Sequence, residues 1–260
     1  MPSISLISIC FNNLIDLIKT VKSIDSQSFH PYEHWIIDGS NTNEIKSYLE
    51  STNHPIYRKW ISEPDDGIAD AFNKGINLSS GDWICLLNSG DILANQNVVQ
   101  IVSNFISTHP DLDWLHGKLI TKRGGLTVTI GKPFEPNKLY RGMRGVFHPT
   151  MYLKKDLYLK VGAYDTMIKI AMDYDMLCRI KPFNCGFIDQ PVAIFDDNGL
   201  SSLNYIKGVK ESYSIYQKYY GFHLFQFIWF LRLLLIHQLM KTRLGKWLYS
   251  IKVNAGFESW

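Results

Sequence analysis

Trp83-Ile84-Cys85-Leu86-Leu87-Asn88-Ser89-Gly90-Asp91 is the stretch on which the fold of this chain turns. Five apolar residues run without interruption into a polar tip that ends in a carboxylate. Such a run marks a strand buried on both faces, as in a parallel sheet. Open α/β sheets place their ligand sites beyond the carboxyl ends of these strands. Asp91 therefore has two readings. It is either an oxygen ligand for a hard cation holding phosphates, or the N-cap of a helix predicted over Ile92 to Phe105.

Working outward, the preceding residues alternate strand and helix signals. Ile4 to Cys10 is an apolar run closed by Phe11-Asn12-Asn13. Leu14, Leu17, Ile18, Val21 and Ile24 then share one face of a helix predicted from Leu14 to Ser26. His34-Trp35-Ile36-Ile37 ends in Asp38-Gly39-Ser40, and a helix is expected near Glu44 to Leu49. Tyr57 to Ile61 reads as a strand, and Asp70 to Leu78 as a helix. This alternation predicts an α/β fold with a mostly parallel sheet and helices on both faces. The strand tips carry Asn12-Asn13, Asp38-Gly39-Ser40 and Asn88-Ser89-Gly90-Asp91, which puts polar groups along one edge. Neither G-x-G-x-x-G after the first strand nor G-x-x-x-x-G-K-[ST] occurs, so a metal becomes the expected partner for bound phosphates.

The second half is less regular. Strands are predicted over Leu112 to Ile120, Leu126 to Ile130, Gly145 to Tyr152 and Phe187 to Phe195, with a turn at Lys122 to Gly125 and a short helix over Asp173 to Arg179. From Tyr205 the texture changes again. One helix-like stretch runs to Tyr220, and Phe222 to Met240 is dense in Phe, Leu, Ile and Trp. Arg232 interrupts that run, and Lys241, Arg243, Lys246 and Lys252 follow it. A spanning helix tolerates no such charge at its centre. The composition is that of a helix lying on an anionic membrane surface, or alternatively one packed on the protein's own core or in a dimer seam.

Bulk properties narrow the class. A chain of 260 residues that is 46% hydrophobic builds a real core. A net charge of +3 argues against a nucleic-acid binder. Cys10, Cys85, Cys178 and Cys185 form no Cys-x-x-Cys pair, which predicts reduced thiols. The N-terminal apolar run is too short for a signal core, so a cytoplasmic location is expected.

Five segments together resemble the bacterial glycosyltransferases of family 2, which have the GT-A fold. They are Ser5 to Asn13, Ile36 to Ser40, Ser62 to Gly75, Leu86 to Asp91 and Ile170 to Arg179. The resemblance covers about residues 3 to 202. It implies a donor-binding half (1–98), an acceptor-binding and catalytic-base half (99–204) and an amphipathic helical tail (205–260). It implies that Asp38 and Asn12 hold the donor nucleobase, with uracil favoured and guanine allowed. Asp65, Asp70 and Lys74 would line the donor segment, although Asp70 and Lys74 also fit a solvated ion pair four residues apart on a helix.

By the same resemblance Asp91 would hold Mg²⁺ or Mn²⁺ on the diphosphate. Relatives carry a second acid where this chain has Asn88, which offers a neutral oxygen and leaves strict metal dependence in doubt. Asp173 would be the general base of an inverting transfer, unless it caps its own helix. Met172 stands where the family has a second acid, and Asp175 is the reserve candidate, with Arg179 a structural partner to one acid. His148, in Phe147-His148-Pro149-Thr150, would contact diphosphate, metal or acceptor, or else be structural. Asn198-Gly199-Leu200-Ser201 resembles a late loop over the site.

The expected enzyme moves sugar from a UDP- or GDP-sugar to a polyprenyl-diphosphate-linked glycan for a bacterial surface polysaccharide. It would sit on the inner face of the cell membrane through its tail, with no nucleic-acid partner and a homodimer allowed. The rival readings are a metal-dependent nucleotidyltransferase and a nucleotide-sugar-binding scaffold without turnover.

Overall fold

A computed structural model describes residues 1–123, 126–195, 204–242, 245 and 247. Four parallel strands make its first half in the order β3-β2-β1-β4: β1 (Ile4–Cys10), β2 (Glu33–Asp38), β3 (Arg58–Ser62) and β4 (Trp83–Leu86). Cys10 lies opposite Asp38, and Asp38 opposite Ser62. The register therefore brings the strand ends to a single edge. Helices α1 (Leu14–Asp25), α2 (Glu44–Ser51) and α3 (Ile68–Leu78) make the crossovers.

Every residue of β1 is buried, because the sheet is covered on both faces. Ile7 and Ile9 point into one core with Phe72 and Ile76 of α3. On the opposite face, Ile36 of β2 packs with Leu17 and Val21 of α1 and with Ile45 and Leu49 of α2. Gly75 permits the close approach of α3, since a Cβ there would stand 2.3 Å from Ile7.

The second half departs from the parallel pattern. β8 (Tyr152–Lys154) pairs antiparallel to β4 and to β6 (Trp114–Arg123); β6 pairs parallel to β9 (Cys185–Phe195), and β5 (Ile92–Leu93) antiparallel to β9. β7 (Leu126–Ile130) forms a hairpin with β6. The sheet is thus mixed, continuous through both halves and flanked by α4 (Val98–Thr108), α5 (Lys155–Val161) and α6 (Met172–Ile180).

Two expected elements are corrected. No helix starts at Ile92: Ile92 and Leu93 pair with Ile194 and Ala193, and α4 begins only at Val98. Gly145 to Met151 is not a strand but a chain turn with a 3-10 segment over His148–Thr150, where Pro149 fits the first turn. Helices α7 (Tyr205–Tyr220) and α8 (Leu224–Met240) close the described fold. Among the described residues no helix is long and apolar enough to cross a membrane. The Gly124-Gly125 turn, the Asn198–Ser201 loop and the basic residues Arg243, Lys246 and Lys252 lie outside the described residues.

Candidate active site

Asp91 is 4% exposed and is set by a turn rather than a helix. Gly90 supplies the positive φ of 100° that the turn requires. Thr20, fully buried on α1, fastens it: its hydroxyl accepts the Gly90 N–H at 2.9 Å and donates to the Asp91 carbonyl at 2.7 Å. Asn13 adds a bond to Ser89. The carboxylate of Asp91 is left free of this scaffolding, and its buried Oδ2 has no hydrogen-bond partner. The capping reading of Asp91 falls with the helix it required.

Asp173 sits in the first turn of α6, which has no side-chain cap. The capping reading therefore falls here too, and Glu211 of α7 holds the backbone N–H groups of Ile170 and Ala171 instead. Asp173 Oδ1 is buried without a partner. His148 lies between the two acids. Its Nε2 is 3.5 Å from Asp91 Oδ2 and 3.1 Å from Asn88 Nδ2, and its Nδ1 is 3.6 Å from Asp173 Oδ2. Burial works against a charged imidazole, but Asp173 and Asp91 outweigh it and raise the His148 pKa above 6.5. Burial also raises Asp173, opposed by His148 and reinforced by Asp91.

Asp175, the reserve acid, is committed elsewhere. It is buried, 2.8 Å from Arg179 and 2.9 Å from the Tyr219 hydroxyl. Arg179 is also bound to the carbonyls of Val161, Gly162 and Ala163, so this group is structural.

The other expected residues gather at the tips of β1 and β2. Asp38 is buried and accepts the Ser40 N–H at 3.0 Å. Asn12, with φ 53°, spans to Ser40, Asn41 and Thr42. Asp65 lies over Gly39, where any Cβ would strike its carboxylate. Asp70 and Lys74 are paired at 3.5 Å, and Lys74 is also 2.9 Å from Glu63 and 2.6 Å from the Pro64 carbonyl. They brace the 63–67 segment beneath Asp65.

Two polar groups thus line one sheet edge: Asn12, Asp38 and Asp65 at β1–β2, and Asn88, Asp91, His148 and Asp173 beyond β4. A cavity of about 420 Å³ runs from His148 and Asp173 to Tyr140, Tyr213 and Trp229. Among the described residues no group of three or more His, Cys, Asp or Glu is arranged to hold a metal. Asn88 Oδ1 and Asp91 Oδ2 are nevertheless buried, unpartnered oxygens, the donor type a hard cation takes when phosphates and water complete its shell. Thr20 and Glu211, which position the two acids, had no signal in the sequence because their partners are distant in the chain.

Residues 5–144 match the family model described as Glycosyl transferase family 2. An uncharacterized glycosyltransferase of Mycobacterium tuberculosis (strain ATCC 25618 / H37Rv) is 32% identical over 209 residues, covering 77% of this chain and 78% of its own. A PGL/p-HBAD biosynthesis glycosyltransferase of Mycobacterium bovis (strain BCG / Pasteur 1173P2) is 24% identical over 180 residues, covering 68% and 69%. Among solved structures, S. aureus TarS 1-349 in complex with UDP-GlcNAc superposes with a TM-score of 0.62 at 14% identity, over 86% of this chain and 69% of that one. Mannosyltransferase PcManGT from Pyrobaculum calidifontis, in complex with GDP-Man and Mn²⁺, gives 0.63 at 14% identity, over 84% and 64%. At such identity these structures speak to the fold, which is that of GT-A glycosyltransferases. The family match ends before His148 and Asp173, so their pairing rests on geometry.

Proposed function

We propose, from the premise that the chain belongs to glycosyl transferase family 2 and is a glycosyltransferase, that it inverts configuration while moving sugar from a nucleotide-diphosphate sugar to a lipid-linked glycan. One observation carries this reading: His148 and Asp173 line one cavity, with Asp91 3.5 Å from His148 and Asp173 3.6 Å from it. The nucleobase sits against Asp38 and Asn12, and the diphosphate lies toward Asn88 and Asp91. UDP is favoured because the uracil ring N–H donates to a carboxylate, and GDP stays within the reading.

Asp173 accepts the proton of the acceptor hydroxyl as that oxygen attacks the anomeric carbon. The bond from sugar to diphosphate breaks on the opposite side, and the proton remains on Asp173 until solvent takes it. A raised carboxyl pKa makes a better base, because it brings the group nearer the operating pH. His148 holds the Asp173 carboxylate and ties its position to Asp91. Asn88 and Asp91 would hold Mg²⁺ or Mn²⁺, and such an ion would supply charge neutralisation on the leaving diphosphate. With a single acid in that pair, we expect metal affinity to be weak until the donor is bound.

The acceptor reading is supported by α8, which exposes Phe225, Ile228, Leu231 and Leu235. An exposed apolar face of this extent marks a surface that meets lipid or protein. With the basic residues after Met240, we read it as peripheral contact with the inner face of a bacterial membrane during surface polysaccharide synthesis.

The test is a screen of UDP- and GDP-sugars for release of UDP or GDP, with and without Mn²⁺. Consumption of one sugar nucleotide is the expected result. Binding of UDP or GDP with no sugar nucleotide consumed would make the protein a scaffold and overturn the reading.

A further inference from the structure

Three guanidinium groups converge on one indole beside the cavity that reaches Asp173. Arg141, Arg144 and Arg232 stand 5.3, 4.9 and 4.4 Å from the centre of the Trp229 ring. Among the described residues none of the three lies within 4 Å of a carboxylate. The neighbouring acid, Glu135, is taken by Lys132 and Lys138. Burial and repulsion from Arg141 and Arg232 lower the Arg144 pKa, and attraction to Glu135 offsets only part of this.

Stacking on Trp229 offsets part of this cost, and Arg141 donates one bond, from Nε to the Tyr140 hydroxyl at 3.0 Å, but the fork-shaped donors of Arg144 and Arg232 have no protein acceptor among the described residues. The indole Nε1 of Trp229 is also buried without an acceptor, and Gln226, 3% exposed, leaves its Oε1 unpaired. A cluster of cations and an idle N–H donor beside a cavity is built for an anion with several oxygens, and Arg meets phosphate in bidentate fashion.

The surroundings indicate what the anion is attached to. Arg141 and Trp229 line the same cavity as His148 and Asp173. Arg232 and Trp229 belong to α8, whose Phe225, Ile228 and Leu235 are exposed at 63%, 52% and 70%. One ligand matches all three environments: a hydroxylated head at Asp173, a phosphate at the arginines and a hydrocarbon chain on α8.

We propose that Arg141, Arg144 and Arg232, gathered around Trp229, form the subsite for the diphosphate of the lipid-linked acceptor. This rests on the acceptor reading given above and assigns that acceptor its anchoring residues. The donor diphosphate occupies a different place, beside Asn88 and Asp91.

The test uses the full chain and calorimetric titration with three probes: geranylgeranyl diphosphate, geranylgeraniol and inorganic pyrophosphate. Geranylgeranyl diphosphate should bind at least about tenfold more tightly than either of the others, because only it joins the two halves of the site. The double variant R144Q/R232Q should lose about tenfold or more of that affinity, while its UDP affinity and thermal unfolding stay at parental values.

Equal binding of geranylgeranyl diphosphate and geranylgeraniol by the parent would overturn the proposal, and that comparison needs no variant to fold. Pyrophosphate binding as tightly as the prenyl compound would overturn it in favour of a free-phosphate site. A double variant that loses UDP affinity would move the arginines to the donor. One that loses only binding to phosphatidylglycerol vesicles would assign them to the membrane surface. Donor consumption, measured separately, distinguishes these failures from failure of the glycosyltransferase reading.

Discussion

Glu33 opens β2 at one edge of the parallel sheet, and Asp91 follows β4 at the opposite edge. Both are buried acids on the same scaffold, at 1% and 4% exposure. Glu33 receives the hydroxyls of Ser5 and Ser80, the backbone N–H groups of Ser80 and Gly81, and the ammonium of Lys59. Asp91 Oδ2 and Asp173 Oδ1 have no close hydrogen-bond donor, and His148 approaches the two acids only at 3.5 and 3.6 Å. A closed set of partners fixes the chain, whereas an open one leaves lone pairs for a ligand. Native proteins satisfy nearly all buried polar groups, so the two buried carboxylate oxygens left unpaired among the described residues, both beside His148, point to the place where something else binds.

The largest expected effect falls on the open edge. Asp173→Asn keeps the shape of the side chain and removes the base, so sugar transfer should fall by about 10²- to 10⁴-fold. UDP or GDP affinity, measured by calorimetry, should stay near the parental value. Thermal unfolding should move the other way, up by about 2–5 °C, because a desolvated charge with an unpaired oxygen has been removed. A variant that transfers at the parental rate, or that melts well below the parent, would break the distinction between the edges.

That distinction was partly legible in the amino-acid order. The apolar runs ending at Cys10, Asp38 and Leu87 gave the parallel half and its polar tips, because a strand buried on both faces leaves a continuous signal. Arg179 was readable as a structural partner to one of the two acids of α6, and the structure selects Asp175, four residues before it. The failures share one cause, long-range pairing. Ile92 and Leu93 fit a helical period, but β9 claims them as a two-residue strand. Gly145 to Met151 looks extended, yet Pro149 and the turn around it bring His148 between the two acids. That bridge depends on three segments meeting in space, and no local pattern encodes it. The arginines around Trp229 were hidden for the same reason, since Arg141 ends a 3-10 segment (Pro136–Arg141), Arg144 lies in the turn that follows it and Arg232 comes from α8.

The next effect belongs to the closed edge. Burial alone would raise the Glu33 pKa, but the Ser80 N–H, Lys59 and the two serine hydroxyls outweigh it and bring it from 4.5 down to about 2. A depressed carboxyl contributes stability that is complete above pH 4.5 and is lost as pH falls from 4.5 toward 2. Glu33→Gln should therefore cost about 2–3 kcal/mol at neutral pH and lower the melting temperature by about 4–10 °C. The parent and variant curves should converge near pH 2. Donor turnover at a temperature where both are folded should be unchanged, the opposite signature to Asp173→Asn.

The smallest effect separates hydrogen bonds from charge at Glu33. Lys59 lies 3.0 Å from the carboxylate, but its side chain is about half exposed, so water and salt screen its attraction. Its ammonium also sits 5.4 Å from the centre of the Trp35 ring, and a methionine there would keep apolar contact with that face. Lys59→Met should consequently cost no more than about 1 kcal/mol, and that cost should shrink further in 1 M salt. A loss equal to that of Glu33→Gln would mean that the closed edge is held by one cation rather than by a cage of donors. The two edges would then differ less than their hydrogen bonds imply, because the open edge also has one basic side chain, His148, beside Asp91 and Asp173.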